Sequence, residues 1–295
     1  MGIDKVKCQA YELNMRANHF DDQYRGCEDE MEREANQLLQ DEKKKNSDFK
    51  EVWEHSQKNW NKLKKQKNIK IPAGLKDNYG IAVVTFTENY PEKNPFHKQL
   101  NDKLTEAGES VENYRKKFNF KAFHFYLTRA LQVLRTQKDK SKIYKTYRGS
   151  KVSSNVANFV RFGRFTSSSL NRNEAKTFGE KSFFNISTRF GVNITAYSIY
   201  PNEEEVLIPG TEQFQKKSHK GNAYNLTSTG QMCSYFNCAY FTGNKRTKKY
   251  PGKTKKPMCH RDTSGSIDSN RSHVASGCTK EVWVQLSLKS VIFEH

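Results

Sequence analysis

The chain has 295 residues, of which 35% are hydrophobic and 12% aromatic, and it carries a formal net charge of +19. That is enough apolar mass for a real core, and the 19 Phe and 14 Tyr point to burial by aromatic area, which excludes a wholly disordered chain. So positive a field suits phosphate-bearing partners. However, no RNA-recognition signature, zinc-finger spacing or basic segment with heptads is present, and no specific nucleic-acid partner is expected.

Residues 21–45 contain no Pro and one Gly and are dominated by Glu, Lys, Gln and Leu, which predicts a first helix. Val52, Trp53, Trp60 and Leu63 recur at helical spacing and predict a second helix over 49–64. The β-branched run from Ile81 to Phe86 predicts a short buried strand. Helices are expected over 96–107 and 123–134, the latter with Phe123, Tyr126, Leu127, Leu131 and Leu134 on one stripe. Beyond Ile143 the pattern changes to short strand candidates at 144–148, 162–169, 182–188, 192–198 and 206–209, with one short helix over 173–178. Helices first and strands later predict an α+β domain with mostly antiparallel sheets. Residues 242–280 are basic and polar, predicting a flexible extension that a Cys259–Cys278 loop could tie, and a strand-like run over 282–291 closes the chain.

The six cysteines are too widely spaced for a CxxC redox motif. Their even number, with sequons at Asn193, Asn225 and Asn270, fits an oxidising, secretory environment. Asn185 also starts a sequon, but within an apolar strand candidate, where glycosylation is not expected. No hydrophobic leader precedes Cys8 and no apolar tail follows Phe293. No pair of glycines is spaced as G-x-G, and Walker A, HExxH and GxSxG are all missing, so neither a Rossmann turn nor those hydrolase chemistries are available. Cys259-His260 has no partner pair at zinc spacing, and no metal is expected.

Three polar segments remain, each at the end of an expected strand. Arg148 followed by Gly149 suits phosphate or a planar amide, with the glycine allowing close backbone approach. Alternation in Thr166-Ser167-Ser168-Ser169 sets Ser167 and Ser169 on the face opposite Ser168. The same alternation sets Glu203 and Glu205 on one face and Glu204 on the other. Each segment alone reads as solvated surface, since strand-end arginines pair on surfaces and glutamates are rarely buried.

Together the three resemble something specific. Tyr147-Arg148-Gly149, "RFGRFTSSSL" from Arg161 and "YPNEEEVLIPG" from Tyr200 are similar, in order and spacing, to the R-S-E triad of the arginine-specific ecto-mono-ADP-ribosyltransferases. "FDDQYRGC" (20–27), "AFHFYLTRAL", "AKTFGEKSFFNIST" and "TSTG…YFNC" extend the likeness over about residues 7–240. The resemblance implies an ADP-ribosyltransferase fold over 7–241, a helical N-terminal part packed on two mainly antiparallel sheets that form an NAD cleft. Residues 242–295 would be a basic C-terminal extension. NAD+ would be the co-substrate, cleaved through an oxocarbenium-like transition state as in glycoside cleavage.

Glu205 would stabilise that cation and hold the ribose hydroxyl, Arg148 would bind the phosphate–ribose region, and Gly149 would hold the carboxamide. Ser167 would orient Glu205, and Glu203 would receive the target guanidinium. With less force the likeness implies NAD contacts at Ser198 and at Phe178, for which Phe183 and Phe184 are rivals. Arg164, standing where several relatives have Gln, would favour the pyrophosphate. It also implies a Cys27–Cys238 disulfide, leaving Cys8, Cys233, Cys259 and Cys278 unassigned. A monomer acting on arginine-bearing proteins, outside the cell or at its surface, is expected. Two other readings stay open: an NAD glycohydrolase on the same fold, and a basic nucleic-acid- or glycan-binding module without catalysis.

Overall fold

The protein is described here by a computed structural model covering residues 10–66, 69–136, 142–242 and 250–261. After a short strand β1 (Tyr11–Leu13) come six helices: α1 (Glu28–Lys45), α2 (Ser47–Lys64), α3 (Asp77–Thr87), α4 (Phe96–Ala107), α5 (Val111–Lys117) and α6 (Lys121–Thr136). The expected first helix thus begins later, at Glu28, because the preceding backbone serves another end. Asp21 and Asp22 turn inward and accept hydrogen bonds from the backbone amides of Tyr235, Phe236, Cys238 and Ala239. The α6 N-terminus is closed from a distance: the buried Glu42 carboxylate of α1 accepts from the amides of Lys121 and Ala122.

The run 81–86 is not a strand. It forms the middle of α3, and every residue from Tyr79 to Thr87 is buried. A segment hydrophobic all round carries no helical stripe, so periodicity could not separate a core helix from a core strand. What the sequence does show is Gly80. A Cβ there would collide with the Trp60 indole of α2, so the glycine sets how closely the two helices approach. The same indole donates to Asp77 Oδ1 at the head of α3, at 2.9 Å.

The second half supplies β2 (Tyr144–Ser150), β3 (Ser154–Val156), β4 (Phe159–Val160), β5 (Thr166–Ser169), α7 (Arg172–Thr177), β6 (Ser182–Thr188), β7 (Val192–Asn193), β8 (Glu205–Ile208), β9 (Glu212–Lys220), β10 (Ala223–Asn237) and β11 (Gly252–Arg261). Nine of these strands form one sheet in the order β4-β9-β10-β6-β2-β5-β8-β7, with β11 beside β10; β1 and β3 make a separate parallel pair. Among the described strands of the large sheet, β6–β10 is the one parallel pair. A small core of Leu13, Val160, Phe184, Ile208, Phe214 and Leu226 draws on both ends of the strand order, so the sheet curls over on itself into two facing halves. The larger core lies between the helices and the β5–β8–β7 side. It is built largely of rings, such as Phe20 stacked on Tyr114 at 4.1 Å and Phe49 on Phe96 at 5.4 Å.

Several expected strands are shorter than their patterns. The run 192–198 is strand only at Val192–Asn193, because the Asn193 side chain accepts from the Thr195 amide at 3.0 Å and turns the chain into a 3-10 helix. Conversely, β9 and β10 are long but polar along much of their length, which hid them from any alternation test. The extension is not wholly flexible. Gly252–Arg261 pairs antiparallel with β10, and Cys259 stands opposite Cys233, with which it forms a disulfide. That pairing overturns the Cys259–Cys278 loop. Cys8, Cys278 and the expected run over 282–291 lie outside the described residues.

The Cys27–Cys238 disulfide is present and closes 211 residues of chain. In the chain-entropy view such a loop stabilises by about 5 kcal/mol. Around it the N-terminal segment is sewn to β10. Asp21 accepts from the Tyr235 and Phe236 amides at 2.9 Å and pairs with the fully buried Arg161 at 2.6 Å. Asp22 accepts from the amides of Cys238, Ala239 and Tyr24.

Candidate active site

The site originates in a split of the sheet. β2 pairs with β6 along all seven residues, yet with β5 at a single position, Tyr147 opposite Ser169. Beyond that point β2 and β5 diverge, and the gap is bridged by Arg148, whose Nη1 donates to the Ser167 carbonyl at 2.7 Å. β8 lies on the far side of β5, with Glu205 opposite Ser169. The diverging strands and the start of β8 therefore bring Arg148, Gly149, Ser167 and Glu205 to one cleft.

Glu203 and Glu205 reach the cleft by a route other than the expected strand alternation. Glu203 is not extended: it ends a 3-10 turn over Pro201–Glu203. Glu204 then takes a left-handed conformation, φ 47° and ψ 47°, and is exposed, before Glu205 enters β8. That sharp turn presents both Glu203 and Glu205 to the cleft. It is strapped from β5: Ser169 Oγ donates to the Glu203 carbonyl at 2.7 Å, and the Leu170 amide to that of Glu204 at 3.1 Å. Ser169 is thus a support for the turn, and Ser168 donates to the Val206 carbonyl at 2.8 Å. Ser167 alone of the three hydroxyls is hydrogen-bonded to Glu205.

Gly149 has a backbone reason of its own. A Cβ there would run into the carbonyl oxygens of Ala175 and Gly179, so the glycine lets the end of α7 close on β2. Phe178 follows α7, 52% exposed, as a ring on the rim of the cleft. Its rivals are buried elsewhere: Phe183 stacks near Tyr147, and Phe184 on Tyr224.

The hollow around Glu205 opens into a cavity of about 320 Å³. Arg164 and Lys151 line it from the sheet side, and Phe86, Asn89, His97 and Asn101 from the helices. The helical wall was not legible in the sequence, because α3 and α4 carry ordinary core patterns there. Asn101 Oδ1 is nonetheless buried without a partner, as is Glu205 Oε1. Ser198 does not reach the cleft. It accepts from the Tyr200 amide and borders a separate hollow with Asn59, Leu63 and Ile199.

Charge follows from burial. Desolvation raises the Glu205 pKa to about 7; the Ser167 hydrogen bond opposes this, Glu203 adds to it and Arg148 opposes it. Desolvation, then the Arg164 charge, lowers Arg148 to about 10, so it stays cationic. Glu203 is raised by desolvation and by Glu174. The cleft thus brings the Arg148 and Arg164 guanidinium groups together with a buried carboxyl, one oxygen of which lacks a partner. Such a donor and acceptor set fits an anionic dinucleotide with a ribose at the floor. Among the described residues no group of three or more His, Cys, Asp or Glu could hold a metal ion.

A helical layer on a curled mixed sheet, split where an arginine, a serine and a glutamate converge, is the arrangement of an ADP-ribosyl-transferring enzyme. Comparison narrows the class. The family model described as NAD:arginine ADP-ribosyltransferase matches residues 13–234. Ecto-ADP-ribosyltransferase 5 of Bos taurus is 39% identical over 244 residues, covering 79% of this chain and 76% of its own length. T-cell ecto-ADP-ribosyltransferase 1 of Mus musculus is 40% identical over 238 residues, 77% of each chain. A mutant of the eucaryotic mono-ADP-ribosyltransferase ART2.2, solved in complex with NAD, matches with a TM-score of 0.69 at 37% identity, covering 78% of this chain and 99% of that one.

The chain belongs to the NAD:arginine ADP-ribosyltransferase family. It is an ADP-ribosyltransferase with NAD as its co-substrate.

Proposed function

We propose that the enzyme transfers one ADP-ribose from NAD+ to the guanidinium of arginine side chains in proteins. The C1′–N1 bond of the nicotinamide ribose breaks, its electron pair leaves with nicotinamide, and positive charge develops on the ribosyl carbon. Glu205, ionised and desolvated, stabilises that charge, which is absent in the ground state. Ser167 fixes the carboxylate, Gly149 holds the carboxamide, and Phe178 covers the nicotinamide from the rim. Arg148 and Arg164 bind the pyrophosphate side. A guanidinium nitrogen then bonds to C1′ and releases a proton, with Glu203 holding the guanidinium and favouring that loss.

The observation that carries the reading is the turn at Glu204, which turns two carboxylates into one cleft at different depths, Glu205 buried and Glu203 half-exposed. One acid serves the donor and the other the acceptor. Relatives are named ecto-enzymes, and two disulfides are present. Action outside the cell or in the secretory lumen suits both. Glu203→Gln should lose transfer to agmatine by at least about 100-fold while keeping much of its NAD hydrolysis. Intact transfer in this variant would remove Glu203 from the acceptor site. A wild-type enzyme that releases nicotinamide without labelling any arginine acceptor would be a glycohydrolase instead.

A further inference from the structure

Behind the NAD cleft lies a second cavity that the reaction does not use. It has a volume of about 670 Å³ and sits between the 23–28 segment, α6 and the ends of β10 and β11. Its walls carry four guanidinium groups, Arg25, Arg129, Arg135 and Arg261, against one carboxylate, Glu28. That carboxylate is committed, accepting from the Gly26 amide at 2.8 Å. His260 also lines the wall; burial and Arg25 lower its pKa, so it adds no full charge at neutral pH. Among the described residues, none of Arg25, Arg129 and Arg261 is held in an ion pair.

Two of the guanidinium groups are pre-set. Arg135 lies over the Phe190 ring, 4.4 Å from its centroid, and donates to the Arg189 carbonyl. Arg129 donates to Gln132 Oε1 at 2.5 Å, and Gln132 in turn donates to the Gln23 carbonyl at 3.1 Å. Gathering like charges around a concavity costs free energy unless an anion offsets it. Planar arginine forks favour phosphate and sulfate, which they bind bidentately.

The cavity also has a floor. A smaller apolar notch shares Gln132, Arg135, Phe190 and Met232 with it and is closed by Leu131 and Phe165. At that floor Thr128, only 3% exposed, has its hydroxyl buried without a partner. An unpartnered buried hydroxyl beneath a ring of arginines points to a ligand with a polar group to offer there. Phe165 stands between this notch and the NAD cleft, lining both.

We propose that this cavity is a second binding site, for a small molecule bearing two or more phosphate or sulfate groups. Its volume falls in the ordinary range for small-molecule pockets, about 300–1,000 Å³. The mouth supplies the charge recognition, and the notch admits an uncharged end of the ligand.

Calorimetric titration of the whole chain, with the NAD cleft saturated by a non-cleavable NAD analogue, tests the site. Inorganic tripolyphosphate and a trisulfated disaccharide serve as separate probes, distinguishing a phosphorylated from a sulfated ligand. At least one should bind saturably with one site per chain, and Arg25→Gln with Arg261→Gln should weaken it at least about tenfold. Lys255→Gln with Lys256→Gln removes the same charge from β11 without touching the cavity walls, and should leave affinity within about twofold. Absence of saturable binding by either probe would overturn the proposal. So would equal weakening by the two double variants, the mark of diffuse surface charge. Circular dichroism on each variant verifies that a loss of binding is not a loss of fold.

Discussion

Two groups of buried carboxylates can be set side by side. Asp21 is 3% exposed and Glu205 4%, so each has lost nearly all its water. Asp21 recovers part of that loss through two backbone amides and Arg161, and its neighbour Asp22 part of it through three amides, although burial still holds both carboxyls above their ordinary range. Glu205 recovers less: Ser167 bonds to it, but Oε1 has no partner. The contrast separates structure from function. Satisfied burial holds the N-terminal segment to β10, whereas under the proposed mechanism the unsatisfied burial at the floor of the cleft meets charge that only the transition state brings.

The largest effect should come from breaking the satisfied group. Asp21→Asn leaves Arg161 buried without its counter-charge, and should cost about 3–5 kcal/mol. Thermal melting would register a drop of about 10 °C, with activity per folded molecule retained. Loss of activity without loss of melting temperature would make Asp21 a functional residue and dissolve the contrast.

Glu205→Gln should move the two quantities in opposite directions. NAD cleavage should fall by about 10²–10³-fold. Stability at neutral pH should rise by about 1–3 kcal/mol, since a neutral amide escapes the cost of ionisation in a desolvated place. The sign follows from linkage. The folded pKa of about 7 lies above the ordinary 4.5, so folding takes up a proton between these values. The gain should therefore be absent below about pH 4.5, grow as pH rises toward 7 and stay constant above it. A variant less stable than wild type at pH 8 would show that the carboxylate is structural.

The smallest effect concerns the turn that separates the acids. Glu204 occupies the left-handed region, which costs a non-glycine residue about 1 kcal/mol. Glu204→Gly should relieve some of that, changing stability by less than about 1 kcal/mol in either direction, because glycine also gains freedom in the unfolded chain. Its exposed side chain contributes nothing to the cleft, so transfer to agmatine should stay within about twofold of wild type.

Much of the candidate site was legible because it depends on short, ordered signals: an arginine before a glycine, a serine-rich strand and an acid-rich turn. The geometry behind the acids was not, since a left-handed Glu204 leaves no mark in a string of three glutamates. Residues 81–86 misled because a fully buried helix shows no periodicity. β11 was hidden by its lysines, which alternate with nothing apolar. Its place depends on pairing with β10 and on Cys233, a partner 26 residues away that no local pattern announces. Ser198 was drawn to the cleft by likeness alone, and its hydroxyl is used to bend the chain ahead of the acidic turn.

We propose that Glu205 must be ionised, against its burial, for NAD to be cleaved. The most direct test is kcat/KM for nicotinamide release, measured against pH without an arginine acceptor, because it reports the essential groups of the free enzyme. The value should climb about tenfold per unit at low pH and level above about 7, where the Glu205 carboxylate is formed. A profile flat between about pH 5 and pH 8 would contradict it.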